Sequence, residues 1–378
     1  MKVCDVVIDS IWYDPRVVKQ INEYIKVSEL SCVGLRSKRY DAEKVAKIPC
    51  KVNIIQDNPY LKTGKISIIE KFFREFKVNA LVKKAIVQEK PDVIHANDLN
   101  ALIPAYFAAK KLKCKLVYDS HEIFLENQGI MGNKLQKIYY TFFEKYIIAK
   151  CDLMVCVSHA AADYFAKKYN IPKPTVVTNC VSKDMICDDS DKNPGFEVLN
   201  HGQFYEGRGY DIMVKAAKLL ENHSDISLAI RGFGRMEDFL KNYVAENQIT
   251  NFRFYPPVTV QELVPMASKS MVGVAITEPV CLNFQLSVSN KIFEYAAAGI
   301  PVIMSDIPEH RYLNEKYNIG IILGENTPEA FADAVVKLYE DKALYEECKK
   351  NVIKMANEVN WEKDFAKLIE IERSWING

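Results

Sequence analysis

Along the whole chain, short runs of β-branched and aromatic residues alternate with longer stretches at helical spacing, and the alternation stops once and starts again. A strand followed by a helix, repeated, folds most simply as a parallel sheet covered by helices, because parallel strands need long crossover connections. Strands are expected at 3–8, 30–35, 52–55, 91–96, 115–118, 153–157 and 175–178, with helices over about 15–27, 101–112 and 132–150. The rhythm lapses over 182–196, SKDMICDDSDKNPGF, a polar, acidic stretch containing Pro194 and Gly195. It resumes with strands at 198–200, 227–231, 252–255, 272–276, 302–304 and 320–322, and helices near 209–222, 235–247, 260–269, 289–298, 308–316 and 328–340. The class is therefore α/β, with two doubly wound domains of similar size over 1–182 and 196–360 and a linker over 183–195. A last helix, about 361–378, carries Trp361, Phe365 and Trp375 and is expected to cross back onto the first domain. Ligands of such sheets bind beyond the carboxyl ends of the strands. Two of them with a cleft between direct attention to residues just after strands.

Charge narrows the function. Fifty Lys and Arg against 49 Asp and Glu leave a net +1, which argues against a globally basic nucleic-acid binder. The balance is uneven: residues 1–190 hold 30 basic and 22 acidic side chains, the rest 20 and 27, as two bodies with different partners would. The ten cysteines form no C-x-x-C pair, and the opening MKVCDVVID reads as a buried strand rather than a leader. A reduced, cytoplasmic protein with packed thiols is expected. No run of 18 apolar residues suggests a membrane span. The D-x-D in 188–191 falls in the linker and reads as a solvated charge run. No His/Cys/Asp cluster has metal-ligand spacing, so neither metal nor cofactor is expected.

Three segments of the second half carry the chemistry. HGQFYEGRGYD (201–211) follows a strand and opens a helix. Gly207 and Gly209 allow close backbone approach, the helix start offers unpaired N–H groups, and Arg208 adds a cation with a fork of donors suited to phosphate. The spacing is not a dinucleotide fingerprint, and a plain glycine turn is the alternative. LAIRGFG (228–234) places Arg231 and Gly232 at another strand end, again with an ordinary turn as the alternative. SVSNKIFEYAAAGIPVIMSD (287–306) is the most specific. Ser289, Asn290 and Lys291 lie at a helix start fit for an anion, and Glu294, one turn on, is placed to hold a sugar diol.

These segments, with PDVIHANDLNALIPAYFAAKK (91–111) and KLVYDSHEIFLE (115–126), resemble the family-four-type retaining glycosyltransferases. The resemblance implies the GT-B fold of two facing Rossmann-like domains and a nucleotide-diphosphate sugar as co-substrate. By the same likeness Glu294 binds the nucleotide ribose, Arg208 the donor diphosphate, and Asn290 and Lys291 the diphosphate and donor sugar. His121, in YDSHEIF (118–124), corresponds to the histidine facing the donor sugar. As a neutral imidazole it would steady developing positive charge. The family's first motif glutamate is Leu286 here, its Glu-Phe-Gly segment is absent, and the arginine of its first loop is Gln203. Arg231 then becomes a candidate for the missing charge, and Glu278 and Asn283 candidates for donor hydroxyls. Asp14 and Arg16, after the first strand, and Asp119 and Glu122 beside His121 are candidates for acceptor contacts. Asn97 and Asp98 are placed at the rim.

Residues 62–84 and 134–150 interleave aromatic and basic side chains at helical spacing. Such faces either pack inward or lie on an anionic leaflet, where each basic residue contributes about 1 kcal/mol. The expected function is retaining transfer from a nucleotide-diphosphate sugar, a UDP-sugar favoured, to a saccharide or lipid-linked acceptor in cell-surface polysaccharide synthesis. A sugar-nucleotide epimerase of the same fold, or a non-catalytic partner that binds sugar nucleotides, are the alternatives.

Overall fold

The computed structural model describes residues 1–61, 67–127, 133–187 and 191–377. The chain divides into two compact units, Met1–Thr178 with Asp364–Gly378, and Asn179–Lys363. The expected linker is not a free connection in its described part. Lys183 N donates to Glu362 at 3.0 Å and Cys187 N to the Ala297 carbonyl at 2.7 Å, so 183–187 is tied into the second unit.

The first unit holds seven parallel strands: β1 (Lys2–Val7), β2 (Glu29–Leu35), β3 (Lys51–Ile55), β4 (Val93–Asn97), β5 (Lys115–Ser120), β6 (Leu153–Cys156) and β7 (Thr175–Val176). Their order is β3-β2-β1-β4-β5-β6-β7. β1 pairs with β2 through Val3 and Leu30, and with β4 through Val3 and Val93. The winding therefore reverses between β1 and β4, which sets the ligand crevice at their carboxyl ends. β4 is buried throughout, as a central parallel strand must be. Helices Pro15–Tyr24, Ile68–Glu89, Asp98–Leu112, Lys134–Ile147 and His159–Tyr169 supply the crossovers. Asp14 caps the first of them, its carboxylate accepting from Arg16 N and Val17 N ahead of a proline at the first turn.

The last helix, Trp361–Asn377, joins this unit from Asp364 onward. Phe365 meets Tyr24 edge-on at 5.1 Å, the Tyr24 hydroxyl donates to Glu372 at 2.7 Å, and Thr178 N donates to Asp364 at 3.1 Å. Its amphipathic spacing thus buries Phe365, Leu368 and Ile369.

The second unit holds β8 (Phe196–Gln203), β9 (Ile226–Phe233), β10 (Phe252–Tyr255), β11 (Val272–Ala275), β12 (Val302–Ser305) and β13 (Gly320–Leu323), all parallel, in the order β10-β9-β8-β11-β12-β13. Val198, Leu228, Val274 and Ile303 form its core with Met213 and Phe331 from the covering helices. β8 outruns the expected 198–200 because its pairing with β9 continues to Gly202 opposite Gly232 and Gln203 opposite Phe233. Here the reversal falls between β8 and β11. The Lys342–Glu358 helix, to which the sequence reading assigned no element, follows the sheet.

Candidate functional site

At the reversal of the second sheet, β8 leads through the Gly207–Gly209 turn into the Tyr210–Leu219 helix. Gly209 is the helix N-cap at φ +74°, and a Cβ on it would lie 2.5 Å from Ile276 Cβ, so only glycine fits. Arg208 is half-buried with its guanidinium 4.0 Å over the Phe284 ring, on the short Leu282–Leu286 helix. Burial lowers its pKa, and among the described residues no carboxylate lies within ion-pair distance.

Lys291 enters from the Asn290–Ala297 helix. Its Nζ donates to Asn200 Oδ1 at 2.6 Å and lies 5.0 Å from the Tyr210 ring centroid. Burial, and then the Arg208 charge, press its pKa down to about 7, against the opposing pull of Glu294. Two cations thus share a desolvated corner at the start of two helices, a costly arrangement that an anion relieves. Ser289 is the N-cap of the Lys291 helix, yet its side chain makes no capping bond; Asn290 is exposed.

Glu294, one turn on, does not stand free. Its Oε2 accepts from His201 Nε2 at 2.7 Å. His201 is buried, tilted against Tyr295 at 4.5 Å, and its Nδ1 has no hydrogen-bond partner among the described residues. The hydrogen bond assigns the proton to Nε2.

Two further expected members stand on the neighbouring strand, Arg231 opposite His201 and Gly232 opposite Gly202. Arg231 donates to the Pro256 carbonyl at 3.2 Å and sits 4.7 Å over Tyr255. No hydrogen bond or ring contact joins it to Arg208 or Lys291. Gly232, at φ +143°, is a pairing glycine: a Cβ there would come within 1.9 Å of the Gly202 carbonyl oxygen on the neighbouring strand.

In the first unit, Asp14, Asn97, Asp98, Asp119 and His121 converge beyond β1, β4 and β5. The imidazole of His121 has Nε2 at 2.9 Å from Asn97 Oδ1 and Nδ1 at 3.3 Å from Asp14 Oδ2 and 3.7 Å from Asp98 Oδ2. Asp98 Oδ1 also accepts from the His121 backbone N at 3.0 Å. Asn97 is aimed from behind, since its Nδ2 donates to buried Asp5 and to the Val6 carbonyl. That leaves Oδ1 for the histidine.

Burial alone favours neutral His121, but the charges of Asp98, Asp119 and Asp14 outweigh it and raise its pKa to about 9. These charges favour the imidazolium over the expected neutral imidazole, and both ring nitrogens face acceptors. Burial lifts Asp98 to about 7, and the same histidine draws Asp14 below its ordinary value despite burial. Asp98 holds φ at +65°, left-handed for a residue with a side chain, as strained backbone at a functional site often is.

Arg16 and Asp119, both expected to meet an acceptor, meet each other. The guanidinium fork spans Asp119 with Nε and Nη2 each at 2.9 Å, and Nη1 donates to the Val177 carbonyl. Both side chains are buried, at 2% and 0% exposure, and spend their polar atoms on protein groups. Burial would raise the Asp119 pKa, yet Arg16 and then His95 hold it well below the carboxylate range. Gln20 adds a further bond to Asp119 at 2.6 Å. Glu122 is occupied by the Asn127 amide.

The Glycosyltransferase Family 4 profile matches residues 59–184, and that of Glycosyl transferases group 1 matches 188–355. Together they span most of the chain. The chain belongs to the family-four-type glycosyltransferases. An uncharacterized glycosyltransferase of Methanocaldococcus jannaschii is 22% identical over 356 residues, covering 90% of this chain and 86% of that protein. Sucrose-phosphate synthase from Thermosynechococcus elongatus superposes with a TM-score of 0.77 at 14% identity, over 100% of this chain and 99% of that one. Anabaena HepE in complex with UDP gives 0.73 at 14% identity, over 99% and 100%. The glycosyltransferase thus shares the GT-B fold of two Rossmann-like units.

Sequence reasoning gave no role to Asn200 or His201, which stand in a strand pattern, and left Asn97 and Asp98 at the rim. A signal was available for Asn200 and His201. They are polar residues in the last, otherwise apolar, turns of a central strand, where burial demands a partner. Among the described residues no three His, Cys, Asp or Glu side chains are grouped to hold a metal. The acidic run at 188–190 lies outside the described residues.

The two aromatic-basic helices of the glycosyltransferase divide their faces. Tyr139 and Tyr140 are buried and Phe72 half-buried, whereas Phe73, Phe76, Ile138 and Phe142 are exposed at 57–70%. Lys71, Lys84, Lys134 and Lys145 are exposed on the same helices. Residues 62–66 of the expected patch lie outside the described residues. No described helix is long and apolar enough to cross a membrane.

Proposed function

We propose that the protein transfers a glycosyl group from a nucleoside diphosphate sugar, a UDP-sugar first among them, to a saccharide or lipid-linked saccharide acceptor, with retention of anomeric configuration. The observation that carries this reading is the Arg208–Lys291 pair. Arg208, over the Phe284 ring, and Lys291, on Asn200 and Tyr210, are brought together beside the Gly207–Gly209 turn, with the Glu294 carboxylate held back by His201. A diphosphate docked there satisfies both, and as leaving group it gathers negative charge that both stabilise as the glycosidic bond breaks. Glu294, oriented by His201, takes the ribose diol. Ser289 and Asn290 offer the helix-start amides to the donor.

The first unit serves the acceptor. Asp14, Asp98 and Asn97 hold His121 as a cation and leave carboxylate oxygens to accept from acceptor hydroxyls. The leaving phosphate oxygen takes the proton of the incoming hydroxyl, so the protein contributes positioning and charge rather than a nucleophile. Co-substrate and cations suffice for this chemistry, and no metal or cofactor enters the proposal. We assign the reaction to polysaccharide synthesis on the cytoplasmic side of a membrane. The support is the exposed aromatic and lysine face of Ile68–Glu89 and Lys134–Ile147, a combination suited to an anionic leaflet.

The test is a panel of nucleoside diphosphate sugars, scored for acceptor-dependent release of the nucleoside diphosphate and for the anomer formed. Release of UDP with an α-linked product from an α-linked donor supports the reading. Interconversion of the donor with no acceptor present, or no turnover of any donor, refutes it. Flotation with anionic vesicles tests the surface assignment, and absence of binding at low salt refutes it.

A further inference from the structure

A cavity of about 530 Å³ opens in the first unit between the Ile68–Glu89 and Lys134–Ile147 helices. That volume lies within the roughly 300–1,000 Å³ of small-molecule pockets. Its walls are mainly Phe72, Phe124, Leu135, Tyr139 and Tyr140, and its lining is largely apolar. Of the polar groups in the lining, Glu75, Arg74, Asn133 and Gln136 have side-chain partners, and Lys71 is exposed. Glu75 accepts from the Tyr60 hydroxyl at 2.8 Å and the Tyr140 hydroxyl at 3.3 Å, and burial raises its pKa. Arg74 is paired with Glu70 at 3.0 Å. A polar ligand gains little from such walls, and a hydrocarbon gains most.

Two features of position identify the occupant. At one end the cavity reaches Ile8, just after β1, and Asn100, just after β4, the strand ends that also present Asp14 and Asp98. At the other end, its two helices turn Phe73, Phe76, Ile138 and Phe142 outward among exposed lysines. A molecule with an apolar stem joined through an anionic group to a hydroxylated head matches these features: the hydroxyls suit the Asp14 and Asp98 end, and Lys71 of the lining is the cation offered to the anionic joint. The exposed rings and lysines meet the bilayer surface, and the cavity continues the apolar path to the acceptor cluster.

We propose that this cavity holds the hydrocarbon stem of a lipid-linked acceptor, next to the anionic group that joins it to the sugar. The proposal rests on the acceptor role given to the first unit, and its test is separable from that of the donor site. The probes are octyl, decyl and dodecyl phosphate below their micellar concentrations, with inorganic phosphate as control, titrated calorimetrically into the whole protein.

Affinity is expected to rise about fourfold per added methylene while the chain is being buried. It then levels once the cavity is full; inorganic phosphate gives no heat. Leu135→Trp narrows the mouth and Phe72→Ala removes a wall, and each is expected to weaken dodecyl phosphate at least tenfold. UDP affinity and vesicle flotation of both variants remain those of the parent. That UDP titration also reports on folding and on the donor reading independently. Parent-like affinity of both variants for dodecyl phosphate, or no binding by the parent protein that still binds UDP, overturns the proposal. Loss of flotation together with alkyl binding in both variants would place the alkyl chain on the outer face and overturn it as well.

Discussion

Lys291→Met removes a cation whose proton is only half held at about pH 7 in the free protein, so nucleotide binding ought to lose its pH dependence along with its strength. Burial and the neighbouring Arg208 charge disfavour the ammonium in the free site. A diphosphate alongside reverses that balance and returns the group towards its ordinary value near 10.4. At pH 8, about nine in ten free molecules carry the neutral amine, so binding takes up close to one proton. The bound form then holds more protons than the free form, and affinity falls by about tenfold per pH unit above 7 and is flat below it. The phosphate itself, with a second pKa of about 6, is already ionised in this window.

Near pH 7, losing a charged hydrogen bond costs about 1.5–3 kcal/mol, or about 10–150-fold in affinity. At pH 9 the parent protein must spend about 2.7 kcal/mol on protonating Lys291, so the variant and parent converge. Calorimetry with UDP in two buffers of different ionisation enthalpy measures the uptake directly. A variant that keeps the parent's pH slope, or a parent that takes up almost no proton at pH 8, refutes the argument.

Arg208→Ala is expected to weaken UDP about 10–150-fold and, because the Arg208 charge helps to lower the Lys291 pKa, to move the onset of the pH dependence upward, measured by the same titrations. Glu294→Ala should weaken UDP by about tenfold or more while leaving pyrophosphate affinity near that of the parent, because only the nucleoside carries a ribose diol. His121→Gln should lower turnover without changing UDP affinity, read as kcat against the nucleotide Kd. It should also lower stability. The folded pKa of about 9 lies above the ordinary 6.5, so the ionic contribution, up to about 3 kcal/mol, is complete below pH 6.5 and is lost as pH rises through 9. Urea unfolding at pH 6 and pH 9.5 checks the sign. Arg16→Met strands a buried carboxylate and should destabilise the protein by about 3–5 kcal/mol, with UDP affinity of the folded fraction unchanged.

What was legible in the sequence follows from how locally each feature is determined. Central strands such as β4 and β12 are buried on both faces, so they read as apolar runs and fall within a residue or two of their expected bounds. The His159–Tyr169 helix was missed because HAAADYFAKKY has short alanine positions where a strong apolar stripe would announce it. The grouping of Arg208, Lys291 and Glu294, the proposed donor corner, was legible because they sit on turns and helix starts flanking one reversal of the sheet, and such termini have glycine and capping signatures of their own. The acceptor corner was not, and the reason lies in the pairings.

Arg16 and Asp119 are 103 residues apart, and nothing beside either of them announces the other. His121 owes its charge to Asp14 and Asp98, which arrive from two other strand ends. A polar residue at the carboxyl end of a parallel strand is equally suited to touching ligand or to holding its neighbours in place. Its identity does not separate the two roles; its partners do. Asp119 is saturated by Arg16, Gln20 and His95, and is therefore a positioning group. Asp14 and Asp98 each spend oxygens on His121 while remaining partly exposed, at 29% and 25%. Their exposed edges can still accept from a hydroxyl, which is the ground on which the proposed acceptor role is given to these two and not to the buried pair beside them.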